Sequence, residues 1–243
     1  MKREGAVGME LNSARITRIQ SADHNTTGRN LKFFIDCKSD KEAQIQVTEE
    51  LFGREYEAIK KEFSTAAQER IRRFFEARVS SLGHGGSLVE KGTYDFSGYP
   101  GILRYKVSNP EFLSNTGDFR ILALPGYSLL CSTVALSPAI DRKTPFWRNS
   151  PRKLSISWNI VPPQGWEIHS FRPEKVEEGE YGSFVFTEYY SVVSGQIALR
   201  SKLILPVEMM SVSAVINLEE WIKRVSAPEN KSVVFKKISV PRE

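Results

Sequence analysis

The chain has 243 residues, 40% of them hydrophobic and 26% charged, with a net charge of +5. That composition belongs to an ordinary globular protein able to bury a sizeable core in one or two domains. The basic charge is spread along the chain, which sets nucleic acid aside as a partner, and no apolar run reaches the ~18 residues that a membrane-spanning helix needs.

Met1-Lys2-Arg3 begins like the basic end of an export signal, but Glu4 to Glu10 supplies no apolar stretch behind it. The chain is therefore read as cytoplasmic, or as a piece whose signal lay upstream. Residues 1–30 are polar, with a short strand expected near Ala14 to Ile19. Leu31 to Cys37 and Ala43 to Thr48 alternate around the turn at Lys38 to Lys41, which predicts a β-hairpin. From Gly53 to Ser80 the period changes. Tyr56, Ile59, Phe63, Ala67, Ile71, Phe74 and Arg78 recur at helical spacing, and Thr65 with Gln68 makes a capping-box pattern where the helix can break and restart. Its polar face mixes Lys60, Lys61, Arg70, Arg72 and Arg73 with Glu57, Glu62, Glu69 and Glu76, as a solvated surface does.

Leu82 to Ser87 is a glycine-rich connector that lacks the Lys-Ser/Thr of a phosphate loop. Beyond it, strands are expected at Gly101–Val107, Phe119–Leu124, Ser128–Leu136, Leu154–Ile160 and Trp166–Phe171. Ser194-Gly195 then turns a hairpin whose register sets Val192 against Ile197, Tyr190 against Leu199, Phe186 against Leu203 and Phe184 against Leu205. Tyr189 with Arg200 and Thr187 with Lys202 fall on the polar side. Glu188, opposite Ser201, breaks the apolar side, as a carboxylate at the sheet margin or as a functional one. Asn217 is the expected N-cap of a helix ending near Val225, and Val233–Ile238 closes the chain as a strand. The fold class is mainly β with minor α: an antiparallel β-sandwich over residues 82–243, preceded by a hairpin-plus-helix segment over 1–81.

Chemistry-bearing residues are few. Cys37 and Cys131 sit in apolar runs, either as buried thiols or as a disulfide that spacing alone does not show. His24, His84 and His169 have no metal-ligand spacing, so neither metal nor other cofactor is expected. Acids at 174–180 read as a solvated loop. Trp158 and Tyr190 belong to the core by register. Trp147 and Trp166 flank loops and, with Arg148 and Tyr189, are the candidate binding residues for a protein partner or a glycan. Arg142, Lys143, Arg152 and Lys153 extend the basic surroundings of Trp147.

The order of these elements carries a resemblance. A basic-acidic helix after Gly53 is followed by a Gly/Pro-rich bridge. Arg142 and Pro145 then precede a strand ending in Pro162-Pro163-Gln164-Gly165-Trp166, and a Leu218-Glu219-Glu220-Trp221 helix leads to a last Val-Val-Phe strand. From about Asn30 to Ile238 this resembles the region C-terminal to the catalytic core in bacterial multidomain transglutaminase-like proteins, which includes a β-sandwich domain of unknown function. The resemblance implies a non-catalytic accessory domain. Its implied partner is a transglutaminase-like or peptidase-like domain or another protein, and its implied location is periplasmic or cell-surface. The core's Cys-His-Asp triad has no counterpart: neither cysteine stands in a Cys-Gly-Asp or Cys-x-Asp run at a helix start. The alternative is a carbohydrate- or peptide-binding sandwich that uses exposed Trp residues.

Overall fold

The computed structural model describes residues 7–10, 15–18, 27–39, 41–82, 85–129, 144–148, 152–170, 176–178, 185–193, 196–205, 208–225 and 232–238. In chain order the elements are β1 (Val7–Glu10), β2 (Arg15–Arg18), β3 (Thr27–Cys37), β4 (Ala43–Phe52), α1 (Gly53–Thr65), α2 (Gln68–Ser80), β5 (Ser87–Leu88), β6 (Thr93–Asp95) and β7 (Gly101–Asn109). They continue with β8 (Leu113–Thr116), β9 (Phe119–Ala123), β10 (Phe146–Arg148), β11 (Arg152–Val161), β12 (Trp166–Ser170) and β13 (Val176–Glu178). The last are β14 (Val185–Val193), β15 (Gln196–Leu205), β16 (Glu208–Met210), α3 (Val212–Val225) and β17 (Ser232–Lys237). The fold is mainly β with minor α, as the alternation predicts.

A nine-stranded sheet dominates, in the order β13-β14-β15-β11-β3-β4-β7-β5, with β6 also pairing β7. Alternation decides its two faces. Ala43, Ile45, Val47, Glu49 and Leu51 of β4 are all buried, and so are Leu31, Phe33, Ile35 and Cys37 of β3. Leu154, Ile156, Trp158 and Ile160 of β11, with Ile197, Leu199, Ser201, Leu203 and Leu205 of β15, continue this inner face. Ile59 and Phe63 of α1 and Ile71, Phe75 and Val79 of α2 join the same core. Val233 and Phe235 of β17, in a four-stranded sheet ordered β12-β17-β9-β8, join it too, as do Leu218 and Trp221 of α3. Each large apolar side chain taken out of water this way contributes about 1.5–3 kcal/mol. At its centre the Trp158 indole N–H donates to the Pro125 carbonyl at 2.9 Å, and Phe33 stacks beside the ring.

The β14–β15 register pairs Val192 with Ile197, Tyr190 with Leu199, Phe186 with Leu203 and Glu188 with Ser201, as read from the sequence. The turn at 194–195 and Phe184 lie outside the described residues. Several expectations need correction. The large sheet is not purely antiparallel, because β11 runs parallel to β3 over its whole length. Nor does the first hairpin stand apart as a segment ending at 81: β3 and β4 are central strands, and the sheet crosses the 81/82 boundary.

The long helix is two helices. Ala66 and Ala67 adopt extended backbone, no side chain caps α2, and the Thr65–Gln68 capping box does not form. That extended step resets the phase, so α2 buries Phe75 and Val79 where one continuous helix would have buried Phe74 and Arg78. Helix α3 begins five residues before Asn217; the Ser211 hydroxyl caps it by accepting from the Ala214 N–H at 3.2 Å. Ser128 and Leu129, expected in a strand, are helical instead.

Candidate functional site

The four binding candidates fall on three different sheets. Trp147 and Arg148 lie on β10, which among the described residues pairs with β16, where they are opposite Met209 and Glu208 in register. Tyr189 lies on β14 beside Arg200, within the large sheet. Trp166 opens β12 in the four-stranded sheet, paired with Lys237. The sequence grouped them by residue type; the topology does not bring them together as one site.

Trp166 is set by a turn. Gly165 takes φ +80°, a left-handed conformation suited to glycine, and the Trp166 N–H donates to the Pro163 carbonyl at 3.1 Å. The Ile238 N–H, donating to the Gly165 carbonyl at 2.9 Å, ties this turn to the end of β17. The Arg120 guanidinium lies 4.5 Å from the Trp166 ring centre, a cation–π contact, and is itself only 6% exposed. Its Nη1 donates to the Asn115 side-chain carbonyl and to the Gly117 and Phe119 backbone carbonyls. Beside this stack opens a polar cleft of about 350 Å³, bounded by Lys38, Asp118, Arg120, Gln164, Trp166 and Lys237. With three cations and one acid it suits an anionic group. It offers little to a sugar ring, because Trp166 is half-buried against the core and already has Arg120 over it.

Exposed rings occur where the sequence reading did not look. Tyr94 and Tyr99 are 41% and 44% exposed. Tyr94 packs edge-on to Phe63 at 4.9 Å, and Tyr99 packs edge-on to Tyr56 at 5.2 Å. The aromatic spacing of Tyr94, Phe96 and Tyr99 was the available signal.

Cys37 is a free thiol on the inner face of β3, and burial, with Asp36 nearby, pushes it up to about 12. A thiol so held is protonated at neutral pH and is a poor nucleophile. His169 lies on the other sheet, tilted against Phe119 at 4.8 Å. Cys131, His24 and His84 lie outside the described residues. Among the described residues no group of three His, Cys, Asp or Glu side chains is arranged to hold a metal, and no helix is long and apolar enough to cross a membrane.

One buried charge interrupts the inner face. Glu49 of β4 is 1% exposed. Its Oε1 accepts from the Tyr105 hydroxyl at 2.9 Å, and its Oε2 lies 3.4 Å from Arg78 Nη1 of α2 in an ion pair. Burial, and next the Glu49 carboxylate, push the Tyr105 phenol well above its ordinary range. The sequence reading missed this group because Glu49 sits in plain alternation and its partners are distant in the chain.

Among the described residues, the outer face of the large sheet carries exposed polar side chains. Gln46, Arg104, Asn159, Arg200 and Lys202 are exposed on it, and Phe34, Ile102 and Val161 are half-buried between them. Register sets Arg104, Thr48, Lys32, Ser157 and Arg200 in one row across β7, β4, β3, β11 and β15.

No family model matches the chain, and no curated protein matches it. Two solved structures show remote likeness. A protein provisionally described as a protease, from Parabacteroides distasonis, is 17% identical over 50% of this chain and 24% of its own length, with a TM-score of 0.41. The baculovirus protein P35 is 7% identical over 87% of this chain and 96% of its own, with a TM-score of 0.18. Neither likeness is close enough to assign a fold or a family.

Proposed function

We propose that this chain is a non-catalytic accessory domain of a transglutaminase-like or peptidase-like protein, and that it docks its partner on the outer face of the nine-stranded sheet. The observation that carries this reading is the asymmetry of that sheet. One face is closed by helices and the second sheet, while the other leaves Gln46, Asn159, Arg200 and Lys202 exposed beside half-buried Phe34 and Ile102. Polar side chains with apolar ones between them are the usual make-up of a non-obligate interface. The order of elements from Asn30 to Ile238 supports the choice of partner.

Lysine-acylation footprinting tests the reading, with the chain alone and mixed with a bacterial transglutaminase-like catalytic domain. Lys32, Lys106, Lys153 and Lys202 are expected to lose reactivity in the mixture while Lys60 and Lys61 of α1 keep theirs. Unchanged labelling of those four lysines would sink the proposal. A second reading, contact with a glycan or peptide, is favoured by the exposed rings of Tyr94 and Tyr99. It requires that Tyr94→Ala and Tyr99→Ala abolish retention on an immobilised glycan array.

A further inference from the structure

We infer that the partner surface seated on the outer sheet face is an acidic protein surface of standard interface size. This inference rests on the docking reading above and adds the partner's chemistry to it.

Area comes first. Six neighbouring strands, β7, β4, β3, β11, β15 and β14, make up the face. At about 4.8 Å between strands and about 3.3 Å per residue along strands of nine to eleven residues, the face measures roughly 24 by 30 Å, about 700 Å². A standard interface takes about 800 Å² from each partner.

Charge comes next. The registers put Lys32, Arg104, Lys106, Lys153, Arg200 and Lys202 on this face, with Asp36 and Glu50 as its acids and Asp95 and Glu178 at its margins. Both central acids are engaged. Glu50 accepts from Lys32 and from the Asn30 amide, and Asp36 pairs with Lys38. Among the described residues, Arg104, Lys106, Lys153, Arg200 and Lys202 make no ion pair. Positive charge is therefore left over in the middle of the face, with Ser155, Ser157, Asn159, Thr48 and Gln46 supplying hydrogen-bonding groups between the cations.

Charge also rules out two other occupants. A second copy of the chain, docked face to face, would set these cations against themselves. A nucleic acid would meet the Asp36 and Glu50 carboxylates along its phosphate path. Acidic side chains on a protein can lie over the cations and avoid the two acids.

The test uses the isotope-labelled chain titrated with a 20-residue polyglutamate and, separately, a 20-nucleotide oligo-dT, followed by amide chemical shifts at low salt. Polyglutamate is expected to shift residues of β3, β11 and β15 and to bind at least tenfold more weakly to the triple variant Arg104→Glu, Arg200→Glu, Lys202→Glu. The Gln versions of the same three positions keep the sheet neutral if the reversals fail to fold, and should weaken binding about threefold. Lys61→Glu on α1 should change nothing. Shifts centred on α2, binding indifferent to the triple variants, or tighter binding of oligo-dT would each overturn the inference. If the lysine footprint appears but the charge variants bind normally, docking stands and the acidic partner falls; if the footprint is also missing, both fall.

Discussion

Substituting Arg78 by Met tests the charge in the Glu49 cluster, because it removes the guanidinium, and with it the ion pair to Glu49 and the cation–π contact to Phe74, while keeping an unbranched side chain. Glu49 is 1% exposed, so its carboxylate cannot turn to water when the cation goes. Removing one partner of a buried pair costs about 3–5 kcal/mol. Three features put this pair at the low end of that range. Arg78 is itself 19% exposed, the contact is 3.4 Å, and the Tyr105 hydroxyl still donates to Oε1. About 3 kcal/mol is therefore expected, which in a chain of this length lowers the thermal midpoint by roughly 6–12 °C. Urea unfolding followed by circular dichroism at pH 7 measures it directly. Glu49→Leu in the Arg78→Met background should cost less than the two single changes summed, since the orphaned charge disappears. A loss under about 1 kcal/mol for Arg78→Met, or strict additivity of the pair, would refute the reasoning.

Tyr105→Phe removes a hydrogen bond to a charged acceptor and should cost about 1.5–3 kcal/mol in the same urea experiment. The raised Tyr105 phenol also has a sign to check. A group whose folded pKa lies above its unfolded value of about 10 holds its proton more tightly when folded, so stability is kept below pH 10 and lost as pH rises beyond it. Absorbance at 295 nm should show this phenol ionising only together with unfolding. Cys37, pushed up to about 12, should resist a disulfide reagent at pH 8 in the folded chain and react at once in denaturant; rapid native labelling at Cys37 would contradict its burial. Gly28→Ala should destabilise by about 1–3 kcal/mol, because a Cβ there would run into the Lys153 carbonyl oxygen across the β3–β11 pair. A thermal midpoint equal to the parent's would mean that these two strands do not approach as described.

Local pattern was legible wherever one face of an element is buried and its partner lies nearby in sequence. The β14–β15 pairing is the clearest case, since a one-residue slip would have put Lys202 opposite Phe186. Spatial neighbours far apart in the chain were not legible. Nothing in Leu31 to Cys37 announces that Leu154 to Ile160 will lie alongside in parallel, because both runs alternate as an antiparallel strand would. The α3 start was misplaced for a local reason: Val212, Val215 and Ile216 are β-branched and read poorly as helix, so the Ser211 cap was passed over for Asn217. Of the candidate site, Trp166 was found and its companion Arg120 was not, since β9 and β12 meet only through β17. The pairing of Tyr189 with Arg200 was legible, but the sheet face that Arg200 shares with Lys32 and Arg104 depends on strands from both halves of the chain.

The parallel junction of β3 with β11 governs how this polypeptide can be dissected. Neither half completes the large sheet: a fragment stopping after residue 81 would leave β3 with a bare, ten-residue hydrogen-bonding edge, and one starting at 82 would leave β11 equally uncovered. Long unpaired borders of that kind recruit other chains. Trimmed versions made for crystallisation or binding work should therefore precipitate whenever the cut separates residue 37 from residue 152, however good the chosen linker looks.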